Sequence, residues 1–298
     1  MFYSFRFVIS LVSTKTKNLV SSLGIETEIH FTVSSSITVR VYFGDDSMDL
    51  DFYQHDQNRP VNFILPTATL CDYEKRTMQL TIPFNFTTWK THIQTVFRCN
   101  QPVIVHFRRG AETFDIQSLK QAIGYIDEIL VNERLNDGCS RQVLRWFADT
   151  KNLFLDRSPF ETPLEIQQIF MQNYDKLVYC GLFSVDDMLI LNSERTELTH
   201  PKTQKDFNRF IKNWIGGSNT RINFVSLLIH KTGFDVENTY LDGIRCMVVN
   251  EATEKEIREE HEFPDGVDMN QIRREDGTTA VVVAEHLMTV LHVHFIIL

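Results

Sequence analysis

The chain has 298 residues, enough at ~150 residues per domain for about two domains or one elongated array of small units. Hydrophobic residues make up 43% and charged ones 23%, which excludes a disordered tail, a fibre or a collagen-like repeat. The formal net charge is −9, and the basic side chains come singly or in pairs such as Arg108-Arg109 and Arg273-Arg274. No cationic strip is left to neutralise a phosphate backbone, so nucleic acid is not expected as a partner.

The cysteines, Cys71, Cys99, Cys139, Cys180 and Cys246, are odd in number, far apart and never in a CxxC pair. They read as free thiols in a reducing compartment, cytoplasm or nucleus. No apolar run approaches the ~18 residues of a membrane-spanning helix, and the stretch from Leu287 to Leu298 is interrupted by His292 and His294. No membrane partner is therefore expected. The segment before Glu26, the first acid, carries Arg6, Lys15, Lys17 and several serines, a composition also found in mitochondrial transit peptides.

Residues 27 to 43 hold two alternating runs, Ile29, Phe31, Val33 and Ile37, Val39, Val41, Phe43, separated by serines. That pattern predicts a β-hairpin. The acidic group Asp45, Asp46, Asp49 and Asp51 lacks calcium-loop spacing and reads as a solvated turn. MQLTIPF at 78 to 84 predicts a strand and Thr88 to Arg98 a helix.

From about residue 103, short apolar strands centred on Ile104, Ile129, Phe154, Val178, Leu198 and Leu227 recur every ~20 to 29 residues, the period of leucine-rich repeats. Apolar residues two apart turn one strand face inward: Ile129 and Val131, Leu153 and Leu155, Leu177 and Tyr179, Leu227 and Ile229. Helix starts are signalled at Asp115, at Thr162-Pro163 with Glu165, at Ser184 with Asp187, and at Thr203 with Asp206. From Thr203 to Ile215, Phe207, Phe210, Ile211, Trp214 and Ile215 line one helical face, which Gly216 ends. After Gly243 the period is lost, and CMVVNE, TTAVVVAE and LMTVLHVHFII read as strands, with a turn at Gly277. The expected fold is α/β, α+β at the ends. A leucine-rich-repeat-like strand-helix array over 103–243, with parallel strands and right-handed crossovers, is flanked by an N-terminal β-hairpin region over 26–84 and a small antiparallel sheet over 244–298 that covers the open end of the array.

The usual catalytic and cofactor signatures are missing, so no catalytic, cofactor-binding or metal residue and no cofactor is expected. His292 and His294 lie two apart on a strand, as zinc ligands can, but no nearby Cys, Asp or His completes a tetrahedral set. A half-exposed strand face is the expectation. Cys139 and Cys180 have no identifiable base and read as buried thiols. Of Trp89, Trp146 and Trp214, the last sits on an apolar stripe, where core packing outweighs binding. Asn85-Phe86-Thr87 matches a glycosylation acceptor, which carries no meaning in a cytosolic protein.

The string FNRFIKNWIGGSN at 207 to 219 resembles the signature of the type-2 F-box-associated domain, a helix ending in tryptophan, glycine and asparagine. SPF at 158, QNYDKL at 172, VDDMLILNS at 185, LDGI at 241 and RREDGTTAVV at 273 follow that family's order. The resemblance spans roughly 85–298 and implies structural roles for Asn208, Phe210, Trp214, Gly217, Asn219, Gly243, Asp276 and Gly277. Upstream, FVISLVSTKTKNLVSSLGI at 7 to 25 is similar to the second half of an F-box, making 1–25 a partial F-box. There the resemblance implies adaptor docking through Val8, Leu11, Ser13, Lys15, Leu19 and Val20. The leading half of the motif is not seen, and the apolar area it would bury, at ~25 cal/mol per Å², is expected to be missing from that docking.

The resemblance implies a non-enzymatic substrate-recognition protein of a Skp, cullin and F-box ubiquitin ligase, whose partners are a Skp-type adaptor, a cullin and an unnamed target protein. A standalone interaction scaffold, an unrecognised enzyme and an imported mitochondrial protein are the alternatives.

Overall fold

The computed structural model describes residues 2–25, 27–44, 46–53, 68–71, 77–80, 82, 84–98, 103–231 and 239–298. The expectations placed on Glu26, Asp45, Thr81, Pro83 and Cys99 lie outside these. The chain divides into two compact units, Met1–Phe154 and Leu155–Leu298.

The first unit opens with helices α1 (Phe2–Ser10) and α2 (Thr14–Ser21), followed by strands β1 (Glu28–Val33), β2 (Ser36–Phe43), β3 (Asp46–Tyr53), β4 (Ala68–Cys71) and β5 (Thr77–Leu80). Helix α3 (Phe86–Phe97), strand β6 (Ile104–Phe107), helix α4 (Ile116–Ile123), strand β7 (Glu128–Val131) and helix α5 (Asp137–Trp146) come next, and β8 (Asn152–Leu155) carries the unit boundary. The hairpin is as expected, with β1 antiparallel to β2 and Val33 opposite Ile37. β1 also pairs in parallel with β6, and β6 with β7, so the sheet runs β7-β6-β1-β2-β3-β4-β5.

Asp46, Asp49 and Asp51 lie in strand β3, not in a turn. Met48, Leu50 and Phe52 alternate with Ser47, Asp49 and Asp51 at the period of a half-buried strand, and the apolar set faces the core while the acids line the other face. There Arg40 of β2 makes a two-pronged bond to Asp49, with both N···O distances at 2.7 Å. Beneath the inner face, Phe86, Trp89, Ile93 and Phe97 of α3 are buried, and Phe7 of α1 stacks on Phe97 with ring centroids 5.9 Å apart. The hydrogen bond between Ser10 Oγ and His92 Nε2, 2.8 Å, fastens α1 to α3.

The second unit contains helix α6 (Pro163–Phe170), strand β9 (Lys176–Tyr179), helix α7 (Val185–Leu189), strand β10 (Arg195–Lys202), helix α8 (Gln204–Ile215) and strand β11 (Phe224–His230). Strand β12 (Met247–Val248), helix α9 (Glu251–His261), and strands β13 (Asp268–Arg273), β14 (Thr279–His286) and β15 (Val290–Ile297) complete it. The sheet order is β12-β13-β14-β15-β11-β10-β9. β9, β10 and β11 are parallel; β15 then adds antiparallel to β11, and β14 and β13 continue antiparallel. The C-terminal strands thus occupy the edge that β11 would otherwise leave unpaired.

The six predicted strand centres all fall in strands, and the inward pairs at 129/131, 153/155, 177/179 and 227/229 are buried. Four predicted helix starts also hold: the Asp115 carboxylate accepts from Ser118 N at 3.0 Å, and Thr162, Ser184 and Thr203 head capping boxes. Helix α9 and strand β13 are not signalled by the sequence. Only Ile257 of α9 and Ile272 of β13 are fully buried, so neither leaves a periodic apolar pattern. Among the described residues, no helix is long and apolar enough to cross a membrane.

Candidate functional site

Helix α8 is the centre of the second unit's candidate site. Thr203 Oγ1 accepts from Asp206 N at 3.2 Å while the Asp206 carboxylate accepts from Thr203 N at 3.1 Å, the reciprocal bonds of a capping box. Phe207, Phe210, Ile211 and Trp214 are buried on one stripe. Phe210 and Trp214 pack edge-to-face with Phe295 on β15, with centroids 5.7 Å and 5.0 Å away.

The other sequence-predicted residues gather around this helix by holding backbone. Asn208 Nδ2 donates to the carbonyls of Tyr240 at 3.1 Å and Asp242 at 3.0 Å, fixing the approach to Gly243. Asn219, at φ 55°, donates through Nδ2 to the carbonyls of Met188 and Leu191, both 3.2 Å, and so ties the end of α7. Gly217, at φ 102°, takes the left-handed conformation that glycine adopts at little cost, and its carbonyl accepts from Arg274 Nη2 at 2.6 Å. Arg274 is the residue that sequence reading missed. It is buried, its Nε lies 3.4 Å from the Asp276 carboxylate, and Gly277 closes the turn that presents it. Hydrogen bonds from Thr278 hold the Asp276 carboxyl below its ordinary range. These residues tie both ends of the α8 region to neighbouring backbone.

The predicted docking residues lie in the first unit. Ser13 caps α2 by accepting from Thr16 N at 3.2 Å, and Ser21 Oγ donates to the Thr95 carbonyl of α3 at 2.9 Å. Val20 is buried at 4% exposure whereas Leu19 is 64% exposed, so one points into α3's packing and the other outward. Val8 and Leu11 are half-buried and Lys15 is exposed. Val12 and Leu23 are exposed as well, giving this helical end an apolar outer surface. Elsewhere in the unit, Arg40, Asp49, Asp51, Arg108, Arg109 and Arg134 border a groove of mixed charge.

The histidine pair differs from expectation. His292 and His294 do share a face of β15, but strand register sets Glu285 of β14 directly opposite His292. One ligand atom from each of the three lies within 4.8 Å of the others. A third group was thus available, hidden because it arrives across a hairpin rather than from the same strand. His292 Nε2 also meets Ser226 Oγ of β11 at 2.7 Å. Burial, with His292 and His261 nearby, pushes His294 down to about 3, and burial lowers His292 too.

Cys139 is buried, and burial with Glu112 nearby pushes its thiol up to about 11. Trp89 is core, Trp146 is partly exposed, and Asn85 caps α3 by accepting from Thr88 N at 2.8 Å. Compared with known proteins, residues 165–227 match a family described as F-box associated. That span runs from the first turn of α6 into β11 and contains α8 with Trp214, Gly217 and Asn219. No curated protein and no solved structure matches the chain.

Proposed function

We propose that this protein is the substrate-recognition subunit of a ubiquitin ligase of the Skp, cullin and F-box type, and that it performs no chemistry of its own. One observation carries the reading: the segment similar to the F-box associated family coincides with the α8 frame, in which Trp214, Gly217 and Asn219 are committed to structure. The strand-helix modules around it form a leucine-rich-repeat-like stack. Its apolar sides are used up in the core, and its outer face binds a target protein. α1 and α2 form the adaptor-docking end through Leu11, Lys15 and Leu19, in keeping with the exposed apolar surface there. The mechanism is tethering: holding the target beside a cullin-borne enzyme raises the effective concentration of its lysines without a new catalytic group. The protein works in the cytoplasm or nucleus, where its thiols stay reduced.

The test is binding of the purified full chain to a purified Skp-type adaptor, followed by calorimetry. Binding that Leu19→Glu weakens at least tenfold is the expected result. No interaction at tens of micromolar would overturn the ligase reading and leave a scaffold that binds its target alone.

A further inference from the structure

We propose that Glu285, His292 and His294 form a binding site for a divalent transition metal ion, with zinc as its natural occupant. Two imidazoles and a carboxylate are zinc's ordinary ligand chemistry, and three protein ligands with a remaining position for water is a common zinc arrangement. The three ligand atoms lie within 4.8 Å of one another, and His292 Nδ1 is 3.8 Å from Glu285 Oε2. Around tetrahedral zinc, with bonds of ~2.0 to 2.2 Å, ligand atoms stand ~3.3 to 3.5 Å apart, so a modest inward turn of side chains closes the set. Glu285 is free to make that turn, its side chain being 33% exposed.

Two further features fit a metal better than a merely packed polar patch. The contact between Ser226 Oγ and His292 Nε2 accounts for one ring nitrogen, and with the proton on Nε2 the lone pair of Nδ1 faces Glu285. Metal-bound imidazoles are ordinarily oriented in this way by a hydrogen bond to the other nitrogen. His294 is only 8% exposed, and its Nδ1 is buried without a hydrogen-bond partner, a costly condition for an imidazole. It is wedged against Phe263 and Phe224, with centroids 4.7 Å and 5.8 Å away, beneath the end of α9. The ion joins β14 to β15 beside the hairpin that connects them, with its fourth position on the side where Glu285 and His292 reach solvent.

The experiment is titration of the purified full chain with zinc chloride by calorimetry, and with cobalt(II) by absorption spectroscopy. One ion per chain at micromolar or tighter affinity is expected. Glu285→Gln and His292→Ala should each weaken it at least tenfold while leaving the circular dichroism spectrum unchanged. The cobalt complex should show visible d–d bands and no thiolate charge-transfer band in the near ultraviolet. Absence of saturable binding at micromolar zinc, equal binding by both folded variants, or a thiolate band assigning the ion to cysteine would each overturn the proposal. His294 is left intact because its substitution would disturb the core.

Discussion

The Arg274 guanidinium lies over the Trp214 ring, its carbon 5.7 Å from the ring centroid, while Nη2 donates to the Gly217 carbonyl at 2.6 Å. One side chain therefore fastens the end of α8 to the β13–β14 turn. Arg274→Ala removes a charge-assisted hydrogen bond and a desolvated cation–π contact, and should cost about 2 to 4 kcal/mol in urea unfolding. Arg274→Lys should recover only part, because a point charge cannot span ring, carbonyl and Asp276 as a planar fork does. Trp214→Ala should cost about 3 to 5 kcal/mol, like other large core truncations. Trp214→Phe should cost less, since the indole Nε1 has no hydrogen-bond partner to lose. A sum of independent losses in the double variant Trp214→Ala with Arg274→Ala would show that the two residues do not act together.

In the first unit, Gly110 sits at φ 101°, and an added Cβ would fall 2.5 Å from the backbone nitrogen of Ser35 in the β1–β2 turn. Both the conformation and the clash oppose any side chain. Gly110→Ala should therefore destabilise by about 2 to 4 kcal/mol, read as a shifted urea midpoint. A neutral substitution would mean that the hairpin does not close against this loop.

Neighbouring positions on α2 should behave in opposite ways. Leu19→Glu places a charge on an exposed site, and the melting temperature should stay within about 2 °C of the wild type. Val20→Glu buries that charge against α3 and should unfold the N-terminal helices, seen as lost helical circular dichroism.

Acid should weaken the fold before the carboxylates titrate. Burial, aided by Lys17, lowers His92 to about 4; burial, with His30, Arg108 and Arg40, lowers His106 to about 4. The unfolded chain protonates these rings near the ordinary value of 6.5, so between 6.5 and about 4 it binds more protons than the native state. Their contribution is intact above pH 6.5 and is lost as pH falls toward 4. The melting temperature should drop between pH 7 and 5, less steeply in His92→Gln, which keeps a partner for Ser10. A flat profile over that range would contradict the neutral buried state of these rings.

Much of the fold was legible because its signals are local. Alternation over Ile29 to Phe43 gave the hairpin, side-chain oxygens at Asp115, Ser184 and Thr203 gave helix starts, and the stripe from Phe207 to Trp214 gave the central helix. What escaped depends on pairing across distance. Parallel addition of β1 to β6 joins His30 to Ile104, and nothing near either residue encodes the partner. The β3 strand was masked because Asp46, Asp49 and Asp51 on its outer face have the composition of a turn, while Met48, Leu50 and Phe52 alternate inward. In the candidate sites, α8's residues were readable as a string, whereas Arg274 and Glu285 matter only through folding that brings them to Gly217 and His292.

The ligase assignment is tested most directly by proximity labelling in living cells with the full chain and its Leu19→Glu variant, scored for cullin and Skp-type adaptor. The account predicts that both are labelled strongly by the wild type and fall to background in the variant at equal expression. Labelling at background by both proteins, or undiminished by the substitution, would contradict it.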